Sequence, residues 1–237
     1  MNVNEEEYNQ ENPFGLETES DFHTTRRNVT ISLIEQYTPG KVAPKILDVG
    51  CGKGNITKII KHKFPEAIID GIDISGKAIE MAKREDAGVN FTKADAMTFG
   101  GFGYKYDVVV LNNIYEHIEN PAGMLINLKS VLAADGVFII STPNRYHIKN
   151  MLRKLFGLNI VIPDYHITEY SIGQLFDHHK YAGLDVKAVI LPVFRKERNR
   201  MLDILVLNIM QPLLDAVLKL IKSKTRLGSL LFIVSRK

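Results

Sequence analysis

The stretch KILDVGCGKGNI, Lys45–Ile56, decides how the rest of the 237-residue chain is read. Ile46, Leu47 and Val49 form a short apolar run of the kind that makes a buried strand. Three alternating glycines follow, Gly50, Gly52 and Gly54. The spacing of Ile56, Ile59 and Ile60 then predicts a helix that opens at Asn55, runs to about Lys63 and is stopped by Pro65. Glycines at such a strand-to-helix turn permit positive φ and let a ligand approach bare backbone, and the helix start adds free N–H groups. A nucleotide-like ligand suits that geometry.

Working outward, the same rhythm repeats. AIIDGIDIS (67–75) reads as a second strand ending in Asp73, and Ser75 caps a helix from Gly76 to about Asp86. VNFTKADA (89–96) is a third strand carrying Asp95, and YDVVVLNN (106–113) a fourth. A helix is predicted over 121–134 and a fifth strand over 136–142. A helix at 22–37 precedes the opening strand; helices at 146–157 and 171–182 and strands at 184–193 and 229–237 complete the pattern. Alternating strands and helices predict a doubly wound, Rossmann-like α/β fold: a seven-stranded sheet, mostly parallel with an antiparallel last strand, and helices on both faces. Ligands of such sheets bind at the carboxyl ends of the strands, where the glycine loop, Asp73, Asp95 and Asn112 all fall.

Composition narrows the setting. With 45% hydrophobic and 24% charged residues, the chain suits one globular domain with a sizeable core. The single cysteine, Cys51, excludes an internal disulfide and argues against a structural zinc site, so a cytoplasmic location is expected. The acidic, polar N-terminus does not read as a signal peptide. Residues 1–21 carry seven acidic side chains and no Lys or Arg; removing those seven negative charges from the net +3 leaves +10 on the remainder. An acidic mobile tail (1–21) on a basic body (22–237) favours an anionic partner, a membrane surface or a nucleic acid, although a plainly solvated surface fits the same charges.

Spacing discriminates among the ligands that use glycine loops. A phosphate-cradling loop needs Lys followed by Ser or Thr, but Gly54 follows Lys53. The dinucleotide pattern needs its third glycine where Asn55 stands, which weakens that reading without excluding it. Asp73, just over twenty residues past the loop, is placed to accept hydrogen bonds from ribose hydroxyls in either class of nucleoside ligand.

LDVGCGKG, Asp73 and the Asp95-Ala96 pair together resemble the class I S-adenosylmethionine-dependent methyltransferases. The resemblance extends from about residue 22 to the C-terminus. It implies that Asp48 and the loop backbone of Gly50, Cys51, Gly52 and Gly54 serve the methionine moiety of the cofactor. By the same resemblance Asp73 binds the ribose, Ile74 packs on the adenine, Asp95 with Ala96 reads the adenine edge, and Asn112 touches the methionine end. NIYEHIENP, GVFIISTPNR and the piece ending AGLDV are similar to ubiquinone-biosynthesis O-methyltransferases and other small-molecule enzymes, some acting on lipid or glycan precursors. The implied reaction moves a methyl group from S-adenosylmethionine to a small-molecule acceptor, at oxygen, releasing S-adenosylhomocysteine.

His117, just past the fourth strand, is the candidate general base; packing against the following helix is its structural alternative. Glu116-His117 lacks a visible third ligand, so no metal is expected. His23, His147 and His166 lie in segments that could cover the site, and solvent exposure is expected for them. Two inserts depart from the simplest form of the fold. Residues 146–165 include a basic amphipathic helix that reads as a lid, and 195–228 is an apolar stretch flanked by Arg and Lys. Asp203, Asp215 and Lys219 cost roughly 2.5–3.5 kcal/mol each in mid-membrane, which argues against a span. Peripheral membrane contact, or a homodimer through 195–228, fits better. A nucleic-acid methyltransferase lacks support in LNNIYEH or in any appended module; a non-catalytic cofactor-binding scaffold at a membrane remains the alternative of a different class.

Overall fold

The computed structural model describes residues 21–84, 88–160, 162–192, 209–220 and 228–237. The acidic segment 1–20 and most of the 195–228 insert lie outside these described residues. Seven strands form one sheet: β1 Lys45–Val49, β2 Ile68–Asp73, β3 Asn90–Lys93, β4 Tyr106–Asn112, β5 Leu132–Pro143, β6 Asp185–Ile190 and β7 Leu230–Arg236. Their spatial order is β3-β2-β1-β4-β5-β7-β6. All pairings are parallel except those of β7, which runs antiparallel to both β5 and β6. The strand order reverses between β1 and β4, a switch point of the kind at whose carboxyl ends open α/β sheets bind ligands.

The helices are α1 Asp21–Tyr37, α2 Asn55–Lys63, α3 Gly76–Ala82, α4 Pro121–Lys129, α5 Ile148–Leu155, α6 Ile172–Tyr181 and α7 Gln211–Leu220, with a 3-10 turn at Tyr115–His117. Two apolar cores follow from strand alternation. Val108 and Val110 of β4 face Leu33 and Ile34 of α1 and Ile60 of α2. Val109 and Leu111 face the other way, onto Met124, Leu125 and Leu128 of α4 and Leu175 of α6. Each such fully buried side chain contributes about 1.5–3 kcal/mol of transfer free energy. Ser75 caps its helix as expected, accepting from the Ala78 N–H; Asn120 likewise accepts from the Gly123 N–H, and Ser171 forms a capping box with Gln174.

Several boundaries depart from the sequence pattern: the helix expected to about Asp86 ends at Ala82, and the strand expected over 89–96 ends at Lys93, which leaves Asp95 in the turn beyond it. The largest departure precedes the fifth strand. The helix expected over 121–134 ends at Lys129, and β5 begins at Leu132 instead of 136. Leu132 pairs with Tyr106 of β4, and the Tyr106 N–H donates to the Val131 carbonyl at 2.9 Å. A Cβ at Gly136 would stand 2.7 Å from the Tyr106 carbonyl oxygen. Only glycine lets β5 come this close, and the ladder hydrogen bonds gained there outweigh local helix propensity.

The candidate cofactor and acceptor site

The glycine loop leaves β1 with Gly50, Gly52 and Gly54 all in the left-handed region, at φ 72, 54 and 78°. The N–H groups of Gly50 and Cys51 both donate to the Ile72 carbonyl, at 2.8 and 3.0 Å, which anchors the loop to the end of β2. The three glycines have different duties. A Cβ at Gly50 would lie 2.8 Å from Ile114 Cδ1, and one at Gly54 2.6 Å from Phe91 Cζ, so both are packed from behind. A Cβ at Gly52 would meet nothing within 4 Å. Gly52 therefore faces open space that a ligand can fill.

Asp73 stands beside that space. Its Oδ2 accepts from the Gly52 N–H at 2.8 Å and its Oδ1 from the Ser75 N–H at 2.9 Å, fixing the carboxylate while leaving further lone pairs for a ligand. Burial raises its pKa, offset in part by these two donors. Asp48 lies behind the loop. It is buried and accepts from Thr57 Oγ1 of α2 at 2.6 Å, clamping the strand to the helix across the glycines. Burial pushes its pKa up to about 6 against the lowering effects of Thr57 and the Arg26 charge. Cys51 is a partly buried free thiol whose pKa burial raises strongly, the reverse of what an activated nucleophile needs.

Further along the sheet edge, Ile74 is 43% exposed and Ala96 is buried. Asp95 Oδ1 accepts from the Met97 N–H at 2.8 Å, and Asn127 Nδ2 of α4 holds the Ala96 carbonyl at 3.0 Å. Asn112 Oδ1 accepts from Thr30 Oγ1 at 3.2 Å and Ser141 Oγ at 2.9 Å. Its Nδ2 is buried without a hydrogen-bond partner among the described residues, a spare donor at the end of β4. The sequence points to a ligand contact at Asn112 but gives no sign of its bridging of α1 and β5, which nothing local encodes.

The chain then turns through Asn113, at φ 52°, into the Tyr115–His117 turn. Glu116 is wholly buried; its Oε2 accepts from Thr142 Oγ1 at 3.2 Å, and burial raises its pKa to about 7. His117 Nδ1 donates to the Tyr165 carbonyl at 2.9 Å, which leaves the Nε2 lone pair unprotonated. Burial and the neighbouring His166 lower its pKa to about 4, so it is neutral at pH 7 and weakly basic. His166 is not solvent-exposed as expected from the sequence: its side chain keeps 7% of its accessible surface, and its ring lies 5.0 Å from that of His117. The N–H groups of Ile167 and Thr168 both donate to the Glu116 carbonyl, which stitches this loop over the end of β4.

A family model described as a methyltransferase domain matches residues 22–189. The chain belongs to that family. Its sheet order and glycine loop are those of the class I, Rossmann-like members, related to small-molecule O-methyltransferases. Among curated relatives, the ribosomal protein L11 methyltransferase of Dictyoglomus turgidum is 38% identical over 115 residues, covering 47% of this chain and 36% of that protein. The malonyl-[acyl-carrier protein] O-methyltransferase of Halalkalibacterium halodurans is 31% identical, with 46% and 43% covered. The ubiquinone biosynthesis O-methyltransferase of Haemophilus ducreyi is 30% identical, with 47% and 50% covered. The chain thus spans half or less of the length of these relatives. The plantazolicin methyltransferase BpumL, solved in complex with SAH, is alike in fold at a TM-score of 0.61 and 22% identity, over 99% of this chain and 88% of that one. The [4+2]-cyclase SpnF is equally alike at a TM-score of 0.64 and 14% identity, over 94% and 85%, so the fold alone does not define a reaction.

Proposed function

We propose that the chain binds S-adenosylmethionine and transfers its methyl group to the oxygen of a small-molecule acceptor, with S-adenosylhomocysteine as product. The observation that carries this reading is the junction of Gly52 and Asp73, an open glycine facing a carboxylate already oriented by two backbone donors. The cofactor supplies an activated methyl on a sulfonium, so the protein's part is alignment and exclusion of water. Asp73 holds the ribose, Ile74 the adenine face and Asp95 with Ala96 the adenine edge, while Asn112 and the loop backbone hold the methionine end. His117 stands on the acceptor side with its Nε2 lone pair available, and the family's small-molecule O-methyltransferases support oxygen as the target atom.

The acceptor is hydrophobic or lipid-like, and the enzyme meets it at a membrane surface. Leu155 and Phe156 at the end of α5 are 77% and 74% exposed, next to Arg153 and Lys154, and α7 leaves Leu213 and Leu220 exposed. An apolar edge rimmed by basic groups suits anionic lipid. No helix among the described residues is long and apolar enough to cross a membrane.

Calorimetry with S-adenosylhomocysteine tests the donor half, since absence of binding removes the reading altogether. Incubating the chain with radiolabelled S-adenosylmethionine and fractionated cell extract tests the acceptor half: label in lipid or small-metabolite fractions supports it, and label confined to RNA, DNA or protein overturns it. Sedimentation with anionic vesicles separates membrane contact from self-association through 195–228.

A further inference from the structure

Glu116, His117 and His166 come together from two segments about fifty residues apart, and nothing in the methyl-transfer reading requires all three. Each offers one donor atom, and these atoms all lie within 4.8 Å of one another. Two donors about 2.1 Å from a common ion are at most about 4.2 Å apart, so modest side-chain rotation closes the set on a metal. Glu116 Oε1 lies 4.0 Å from His166 Nε2 and has no hydrogen-bond partner among the described residues, although Glu116 is wholly buried. A buried carboxylate oxygen left unpaired is costly, and a cation resolves that cost.

The surroundings orient all three donors. The Nδ1–H of His117 is committed to the Tyr165 carbonyl, which points its Nε2 lone pair elsewhere. His166 Nδ1 lies 3.3 Å from Glu169 Oε1, within charge attraction though not aligned as a hydrogen bond. Thr142 holds the other oxygen of Glu116. A carbonyl behind one histidine, a carboxylate behind the other and a hydroxyl on the carboxylate form the outer shell that metal ligands use.

We propose that Glu116, His117 and His166 bind a divalent first-row transition ion that presents the acceptor's hydroxyl to the methyl donor. Two histidines and one carboxylate leave coordination positions open, as catalytic rather than structural sites do. The cluster also lies close to the cofactor loop. Glu116 is two residues past Ile114, which packs on Gly50 of that loop, and the Arg26 charge acts on both Asp48 and Glu116. The ion would activate the acceptor, because a metal-bound hydroxyl ionises near neutrality. The acceptor O–H gives its proton to water, its oxygen forms the new bond to the methyl carbon, and the C–S bonding pair stays on sulfur. No oxidant or reductant is involved.

The role in catalysis rests on the methyl-transfer reading; the metal site does not. Co2+ added to the metal-stripped full chain is expected to bind saturably at one equivalent, with visible d–d bands and a higher melting temperature. Glu116→Gln, which keeps the shape, and His117→Ala with His166→Ala should each lose that signal while retaining native circular dichroism. Glu169→Gln should weaken Co2+ binding roughly 10- to 100-fold as an outer-shell change. Asp73→Ala should keep the Co2+ signal and weaken S-adenosylhomocysteine about 100-fold. Absent saturable binding, or binding unchanged in the histidine double variant, overturns the site. Co2+ binding intact in a chain that never binds S-adenosylhomocysteine leaves the site standing and removes the function it was assigned.

Discussion

The two sides of the proposed site, one for the methyl donor and one for the acceptor, are built in opposite ways. The donor side is local: Asp48, three glycines and Thr57 span ten consecutive positions, and Asp73 closes the set from the adjacent strand. The proposed acceptor side is assembled from afar. Glu116 and His117 follow β4, Thr142 lies just before the end of β5, and His166 and Glu169 arrive on the loop before α6. A local motif keeps its geometry by backbone conformation, which few changes preserve. A distant assembly depends on loops, which drift readily, and that is where acceptor choice can change while the donor stays the same.

Substitutions divide along this line. Gly54→Ala should cost the most, about 3 kcal/mol of stability, because a Cβ 2.6 Å from the buried Phe91 ring adds overpacking to a left-handed backbone. Gly52→Ala has a similar φ but free space, so its cost should be nearer 1 kcal/mol while ligand binding is lost. Denaturant unfolding paired with calorimetry reads both; equal stability losses would mean that Gly52 does not face a ligand. Asp73→Ala should weaken S-adenosylhomocysteine about 100-fold, the worth of one or two hydrogen bonds to a charged group.

Asp48 sharpens the comparison through pH. Its folded pKa of about 6 lies above the ordinary value of 3.8, so its ionisation opposes folding. The protonated clamp is fully favourable below the unfolded value, and that advantage is lost as pH rises from about 4 through 6. Asp48→Asn should therefore gain stability relative to the parent across that window, by at most about 3 kcal/mol at pH 8. Melting temperatures at pH 4.5 and 8 check the sign, and a gap that narrows with pH refutes it. At the end of α5, Leu155→Ser with Phe156→Ser should change stability by less than about 0.5 kcal/mol, since both are exposed, yet reduce binding to anionic vesicles. A large loss of stability would mean that the pair is buried in a dimer.

The first strand, the glycine loop and the helix from Asn55 to Lys63 were legible to the residue, because alternation, glycine spacing and Pro65 each act over a few positions. The helix expected to reach residue 134 was not, because Leu132 answers to its partner Tyr106 on β4 and not to its neighbours. His166 illustrates the same limit at the site. By sequence it is an isolated histidine in a polar loop; the N–H groups of Ile167 and Thr168, bonded to the Glu116 carbonyl, carry it beneath the surface.

The sequence by itself determined the alternation of strands and helices, the left-handed loop at Gly50–Gly54 and the carboxylate at the end of the second strand. Those features follow from short-range sterics and from the periodicity of burial. Only the tertiary structure decided that Asn112 bridges α1 to β5, that Asp48 is buried against Thr57, and that Glu116 meets two histidines. Each depends on contacts between residues far apart in the chain, whose geometry is set when the two apolar cores close on the sheet.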